Sequence, residues 1–294
     1  MSSTYFLDLL LSGITVGSLY ALIAIGYTMV YGILRLINFA HGDIFMMSGF
    51  FMIYMSASMP MAVSIPLVLI MTVLLGVLIE RAAYKPLRNA PRMSVMISAI
   101  GVSYLLENLA TYITGGIARP YPEIAFLKRS FVVGGMTVKT ITILTPVLTI
   151  LLVIALVWFV NHTKIGMAMR AVSKDFDTAR LMGIKVNSVI SVTFVIGSFL
   201  AGVGSILYFT NYGQVSPLIG AMPGLKAFVA AVFGGIGSIP GAVLGAYIIG
   251  ICESLIKAND SIAIFSNAFT FALLIAVLLL RPNGMFGEKT REKV

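Results

Sequence analysis

Arg35, His41 and Asp43 fall within nine residues, in the string Arg35-Leu-Ile-Asn38-Phe-Ala-His41-Gly-Asp43 between two apolar runs. Ionisable groups at membrane depth are costly unless they pair or face a wet cavity, and irregular backbone survives there only where protein or a cavity shelters it. Inside a bilayer the three side chains would have to pair with one another. At the interface the same string is a turn, with Asp43 as N-cap of the next helix and Arg35 complementing the negative end of the one before. His41 by itself is a poor basis for a proton relay or metal site.

A second stretch, Gly234-Gly235-Ile-Gly237-Ser238-Ile-Pro-Gly241, follows an apolar segment, Leu225 to Phe233, that is too short to cross a bilayer. Glycine permits close backbone approach and unusual dihedrals, so this reads as a half-helix running into a re-entrant break. Close packing of ordinary membrane helices would select the same residues. The break echoes the first string: His41-Gly42 precedes an apolar run with Ser48-Gly49, and Pro240-Gly241 one with Gly245-Ala246. That echo is compatible with an internal repeat.

The third stretch is polar, Gly166-Met-Ala-Met-Arg170-Ala171-Val-Ser-Lys-Asp175-Phe176-Asp-Thr-Ala179-Arg-Leu-Met-Gly183-Ile184. Asp175 has the position of an N-cap, Asp177 lies in the first turn, Arg180 near the last, and Gly183 suits the left-handed stop. A short helix over 175–182 follows. Phe176, Ala179 and Met182 would form an apolar knob framed by charge, fit for a partner's groove or, equally, part of a solvated connecting helix.

Known catalytic constellations are missing. No His-Glu-x-x-His, Gly-x-Ser-Gly or pair of mid-span aspartates occurs, and no Gly-Lys dipeptide, so no phosphate-binding Gly-x-x-x-x-Gly-Lys loop. One cysteine, Cys252, excludes an internal disulfide, and two histidines exclude a histidine-rich metal centre. No metal site and no enzyme is expected.

The elements that must carry these stretches are membrane helices. Hydrophobic residues make up 59% of the chain and charged ones 11%, far below the ~25% charge of a soluble domain. A span needs about 20 apolar residues, which gives Leu9–Leu34, two spans in Ile44–Ile79 split at 56–60, Met93–Thr114 interrupted by Glu107, Ile141–Val160, Ser188–Phe209, the half-helix with its break, Ala242–Leu255 and Ile262–Leu280. The first run lacks a cleavage signature and reads as a retained helix. A basic loop is expected at 80–92 and a small hairpin at 131–138. The fold class is therefore an all-α polytopic membrane protein with about eight to nine membrane segments, one of them broken.

The net charge of +9 sorts by loop. With the N-terminus outside and the C-terminus inside, fourteen of the 20 Lys and Arg fall on the inner side and six outside, Lys226 and Lys257 among the six. The positive-inside rule favours that orientation and removes nucleic-acid binding as an explanation of the charge.

Taken in order, Asn38-Phe-Ala-His-Gly-Asp43, the 166–184 loop, Gly197-Ser-Phe-Leu-Ala-Gly202 and Phe233-Gly-Gly-Ile-Gly-Ser-Ile-Pro-Gly241 resemble the LivH-type permeases of bacterial ABC importers for branched-chain amino acids. The resemblance covers essentially the whole chain. It implies a single transmembrane permease domain over 1–294 in the inner membrane, paired with a LivM-type permease, two ATPase subunits that hold ATP and Mg, and a periplasmic binding protein. This chain itself would bind no cofactor. Loop 161–187 would be the cytoplasmic coupling element, with Gly166, Arg170, Ala171, Asp175, Phe176, Ala179, Gly183 and Ile184 as its signature; the Glu-Ala-Ala opening of many other ABC importers is absent. Asn38, His41, Asp43, Gly235, Gly237, Ser238 and Gly241 would line the translocation path. Urea or short amides are alternative substrates. An ion-coupled secondary transporter is the alternative mechanism, with Glu107 and Glu253, the latter near a helix end where it can reach water, as its coupling carboxylates.

Overall fold

A computed structural model describes residues 3–88, 90–133, 136–281 and 284–286; the basic tail positions Lys289, Arg291 and Lys293 lie outside them. The chain is helical almost throughout, as a bilayer demands of backbone that has no water to bond to. α1 (Ser3–Leu34), α2 (His41–Ser56), α3 (Met61–Ile79) and α4 (Arg92–Thr114) form the first half. Then come β1 (Arg119–Pro120), β2 (Ser130–Val133), β3 (Met136–Lys139), α5 (Thr140–His162), α6 (Lys164–Lys174) and α7 (Phe176–Leu181). α8 (Val186–Tyr212), β4 (Gln214–Val215), α9 (Ala221–Gly234), α10 (Ile239–Lys257), α11 (Asp260–Ala263) and α12 (Ser266–Leu280) complete it.

Among the described residues six helices are long and apolar enough to cross a membrane: α1, α3 with its continuation to Tyr84, α4, α5, α8 and α10. With 16, 14 and 15 residues, α2, α9 and α12 would each rise only roughly 21–24 Å at 1.5 Å per residue. That is short of the ~30 Å hydrocarbon core.

α1 is apolar all round and buried from Leu19 through Ile25, the mark of a central helix. It packs against α10, α8, α9 and α5. Its Gly13-x-x-x-Gly17 stripe lets α10 approach until Gly250 stands against the Gly17 backbone. By contrast α4 and α5 bury one stripe each, Val95, Ala99, Leu106 and Ala110 on the former and Thr145, Thr149 and Leu156 on the latter. Their other faces expose residues such as Ile97, Leu105, Ile150 and Ile154, as suits a lipid-facing wall.

Several expected boundaries move. The 80–92 segment does not begin as a loop: α3 runs on through a π-turn, Glu80–Tyr84, which turns Glu80 inward onto Arg88 and onto Ser191 of α8, whose hydroxyl donates at 3.0 Å. Glu107 does not interrupt α4. The terminal apolar run is divided, since the turn at Ile264–Phe265 separates α11 from α12. The hairpin forms, with Phe131 opposite Val138, while β1 and β4 join antiparallel at Arg119 and Val215.

Candidate functional site

The centre of the molecule is a meeting of two half-helices. α2 and α9 meet near their N-termini, where glycines face one another. A Cβ on Gly42 would stand 2.6 Å from the Gly220 carbonyl oxygen, one on Gly220 2.3 Å from that of Gly42, and one on Gly224 2.9 Å from the Gly42 Cα. Backbone therefore lies on backbone, and two positive helix ends point into one region. The glycines that Gly42 meets are Gly220 and Gly224, whereas Gly241 packs against Gly234.

Beside this contact lies a cavity of about 220 Å³ between α1, α2, α4 and α9. Tyr27, Asp43, Ser103 and Glu107 supply its polar groups, and Ile100 and Leu225 belong to its apolar wall. Asp43 is 2% exposed. Its Oδ2 accepts from the Ser103 hydroxyl at 2.5 Å.

The other members of the first string separate. Asp43 is no N-cap, because α2 begins at His41 after Ala40, which caps without a side chain. Arg35 does not pair with it either: Arg35 closes α1 at φ 55° and donates to the Ser173 carbonyl of α6 at 3.2 Å. His41 is buried with its Nε2–Cε1 edge against Gly26 and its ring edge-on to Tyr27, ring centres 4.9 Å apart. Asn38 accepts from the Tyr84 hydroxyl at 2.8 Å. Of the seven path candidates only Asp43 lines the cavity.

Gly235, Gly237, Ser238 and Gly241 form a separate, shorter break than expected. Gly235 and Gly237 take φ of 106° and 98°. The Gly237 amide donates to Thr28 Oγ1 of α1 at 2.8 Å, and Ser238 caps α10 by accepting from the Gly241 amide at 3.2 Å. These groups anchor the turn between α9 and α10.

At the opposite end of the α9–α10 pair, where α9 begins and α10 ends, is a buried ion triad. Glu253 Oε1 accepts from Lys226 and Lys257 at 2.6 Å each, and Oε2 from the Tyr20 hydroxyl at 2.9 Å. At 2% exposure Glu253 does not reach water. It is occupied in tying α9, α10 and α1 together, which counts against a coupling role. Lys226 likewise leaves the tally of loop charges, being a buried counter-ion on α9.

The 161–187 loop holds two helices. α6, at 11 residues, is far too short for the span criterion to find; its first turn is capped by Thr163, which accepts from the Gly166 amide at 3.0 Å. Gly166 fits beneath the end of α5, where a Cβ would be 2.3 Å from the Val160 carbonyl oxygen. Arg170 donates to Asn161 at 2.9 Å. Asp175 caps α7 through bonds from the Asp177 and Thr178 amides, both 2.9 Å. Gly183, at φ 80°, ends it. Its amide returns to the Arg180 carbonyl and that of Ile184 to the Ala179 carbonyl, the paired bonds of a Schellman stop. The apolar knob differs from the one expected: Ala179 faces inward, while Leu181 and Met182 are 87% and 79% exposed, with Phe176 and Met167 flanking.

Residues 9–278 match the family described as the branched-chain amino acid transport system / permease component. The chain belongs to this family. The permease is 42% identical over 306 aligned positions to the high-affinity branched-chain amino acid transport system permease protein LivH of Escherichia coli (strain K12), covering 99% of this chain and 98% of the relative. BraD of Pseudomonas aeruginosa matches at 42% with the same coverage. A probable LivH of Methanocaldococcus jannaschii matches at 28%, over 92% of the permease and 89% of its own length. The resemblance read from the motifs is thereby established, and the permease is a multi-pass membrane protein. Missed in the sequence were Ser103, Gly220 and Gly224. They sit outside the quoted motifs, and only the Gly-rich character of 220–224 offered a signal.

Proposed function

We propose that this permease is a transmembrane subunit of an ATP-driven importer that carries branched-chain amino acids across the bacterial inner membrane. The observation that carries the reading is end-to-end similarity to LivH and BraD, at 42% identity. In this reading the N-terminus is outside and the C-terminus inside. Among the described residues the membrane segments number nine when the half-helices α2, α9 and α12 are added to the six long helices. Partners are a LivM-type permease, two ATPase subunits holding ATP and Mg, and a periplasmic receptor. The chemical work is done on the ATPases, and the permease is a conformational element rather than an enzyme.

Loop 161–187 is the surface on which an ATPase presses. α6 packs inward through Met169 and Val172, α7 through Ala179, and the Leu181–Met182 knob faces away from the bundle. Because Arg35 links α6 to the end of α1, a push on the loop is delivered to the central helix. Both conformations must exist beforehand, and ATP binding shifts the population between them.

Ala179→Pro tests the coupling role. Its amide donates to the Asp175 carbonyl at 3.1 Å, so proline removes a bond and clashes in a one-and-a-half-turn helix, a cost of about 3 kcal/mol. In the importer assembled with its partner subunits, leucine uptake and receptor-stimulated ATP hydrolysis should both fall at least about tenfold, the factor that 1.4 kcal/mol represents, while the subunit still inserts. If both persist at wild-type levels, the loop does not couple.

A further inference from the structure

Glu80, Asp43 and Glu253 are the fully buried carboxylates among the described residues, and they are not alike. Arg88 completes Glu80, and Lys226 with Lys257 completes Glu253. Asp43 has no Lys, Arg or His nitrogen within 4.0 Å among the described residues. Its contact is a hydroxyl, which supplies a dipole but no countercharge. A carboxylate held away from water needs a cation or several donors to stay ionised. Glu107, one turn beyond Ser103 on α4, lines the same cavity and also lacks an ion-pair partner among the described residues. The chain thus builds two cation-completed acid sites and one incomplete site, and the incomplete one opens onto a cavity of about 220 Å³.

We propose that this cavity is a primary-ammonium subsite, in which a substrate –NH₃⁺ seats on Asp43 and Glu107, with its aliphatic part against Ile100 and Leu225. The three ammonium donors match the acceptors present: Asp43 keeps one oxygen bonded to Ser103 and offers the other, and Glu107 offers a carboxylate at the rim. The apolar wall suits a branched alkyl chain. The alkyl assignment rests on the import reading above, whereas the ammonium assignment rests on the carboxylates.

Three probes separate these parts: L-leucine, 3-methylbutylamine, which has the ammonium but no carboxylate, and 4-methylpentanoate, which has the carboxylate but no ammonium. With the purified permease complex in lipid nanodiscs, leucine and the amine should raise the midpoint of thermal unfolding, and 4-methylpentanoate and added Na⁺ should not. Asp43→Asn should remove the shift and lower leucine uptake by roughly tenfold to a hundredfold, the scale of a hydrogen bond to a charged group. Glu107→Gln and Ser103→Ala should each weaken protection by the amine about severalfold. Should Asp43→Asn fail to assemble, those two variants decide: unchanged protection in both overturns the proposal. Wild-type uptake by Asp43→Asn overturns it too, since asparagine mimics an aspartic acid that simply holds a proton. That result would leave the import reading intact. Protection by the amine but not by leucine, lost in Asp43→Asn, would support the ammonium subsite and instead refute branched-chain amino acids as the cargo. Protection by 4-methylpentanoate or Na⁺ equal to that of the amine also refutes the subsite.

Discussion

Glu253→Gln is expected to cost the permease about 3–5 kcal/mol, the usual penalty for breaking a buried ion pair by removing one partner. The size follows from what is left behind. Lys226 is buried on α9, and its ammonium has Glu253 as its ion-pair partner. Lys257, four residues along α10 from Glu253, is half exposed and can turn to water. Glutamine keeps the shape and can still accept a bond, but it leaves two positive groups facing one another around a neutral amide. The reverse change is milder. Lys226→Met leaves Glu253 paired with Lys257 and bonded to Tyr20, so its cost should be well below that of Glu253→Gln. The double variant should recover much of the loss, because it also removes the buried Lys226 charge that Glu253→Gln alone leaves uncompensated. The measurement is the thermal unfolding midpoint and yield of detergent-solubilised protein for the two single variants and the double variant. A Glu253→Gln protein as stable as wild type would show that the triad is ornamental to folding.

That triad also marks where the sequence stops being legible. Hydropathy located the spans because the bilayer acts on each segment separately, and it needs no knowledge of neighbours. Asp175 and Gly183 were legible for a related reason: a cap and a stop act on amides within a few residues. Lys226 and Glu253 are 27 residues apart, and along the chain each looks like a charge near a helix end. Their pairing depends on α9 folding back beside α10. The same holds for the cavity. Asp43 stood out in its motif, yet its environment comes from Ser103 on α4, which carries no local signal, and from the glycines at the start of α9, whose partner no local signal names. Gly42 lay inside a quoted string, but what it must accommodate is Gly220. Ala179 reads from the sequence as part of the exposed knob because helical spacing gives two candidate faces, and packing of α7 on α6 and α8 turns it inward.

Gly220→Ala should abolish transport with little change in membrane insertion. The added methyl would lie 2.3 Å from the Gly42 carbonyl oxygen, 2.9 Å from its carbon and 3.0 Å from the Met46 Cβ. None of these is the free end of a flexible side chain, so relief requires α2 and α9 to move apart bodily. Overpacking of a close contact typically costs about 1–3 kcal/mol. Here the strain also falls on the cavity wall, because Gly220, Gly224 and Gly42 all border it. Separation of the half-helices would shift Asp43 relative to Glu107, and a misplacement near 1 Å can cost a site about a hundredfold. Leucine uptake should therefore drop far more than stability does. Gly101→Ala is the control. It adds the same methyl to an exposed point of α4 with nothing within 4 Å, where exchanging glycine for alanine inside a helix should stabilise by roughly 0.5–1 kcal/mol. One substitution thus strains the half-helix contact while the other adds a methyl to open space, with opposite expected signs in the unfolding midpoint. Equal uptake by the two variants would mean that the Gly42–Gly220 contact does not have to stay closed during transport.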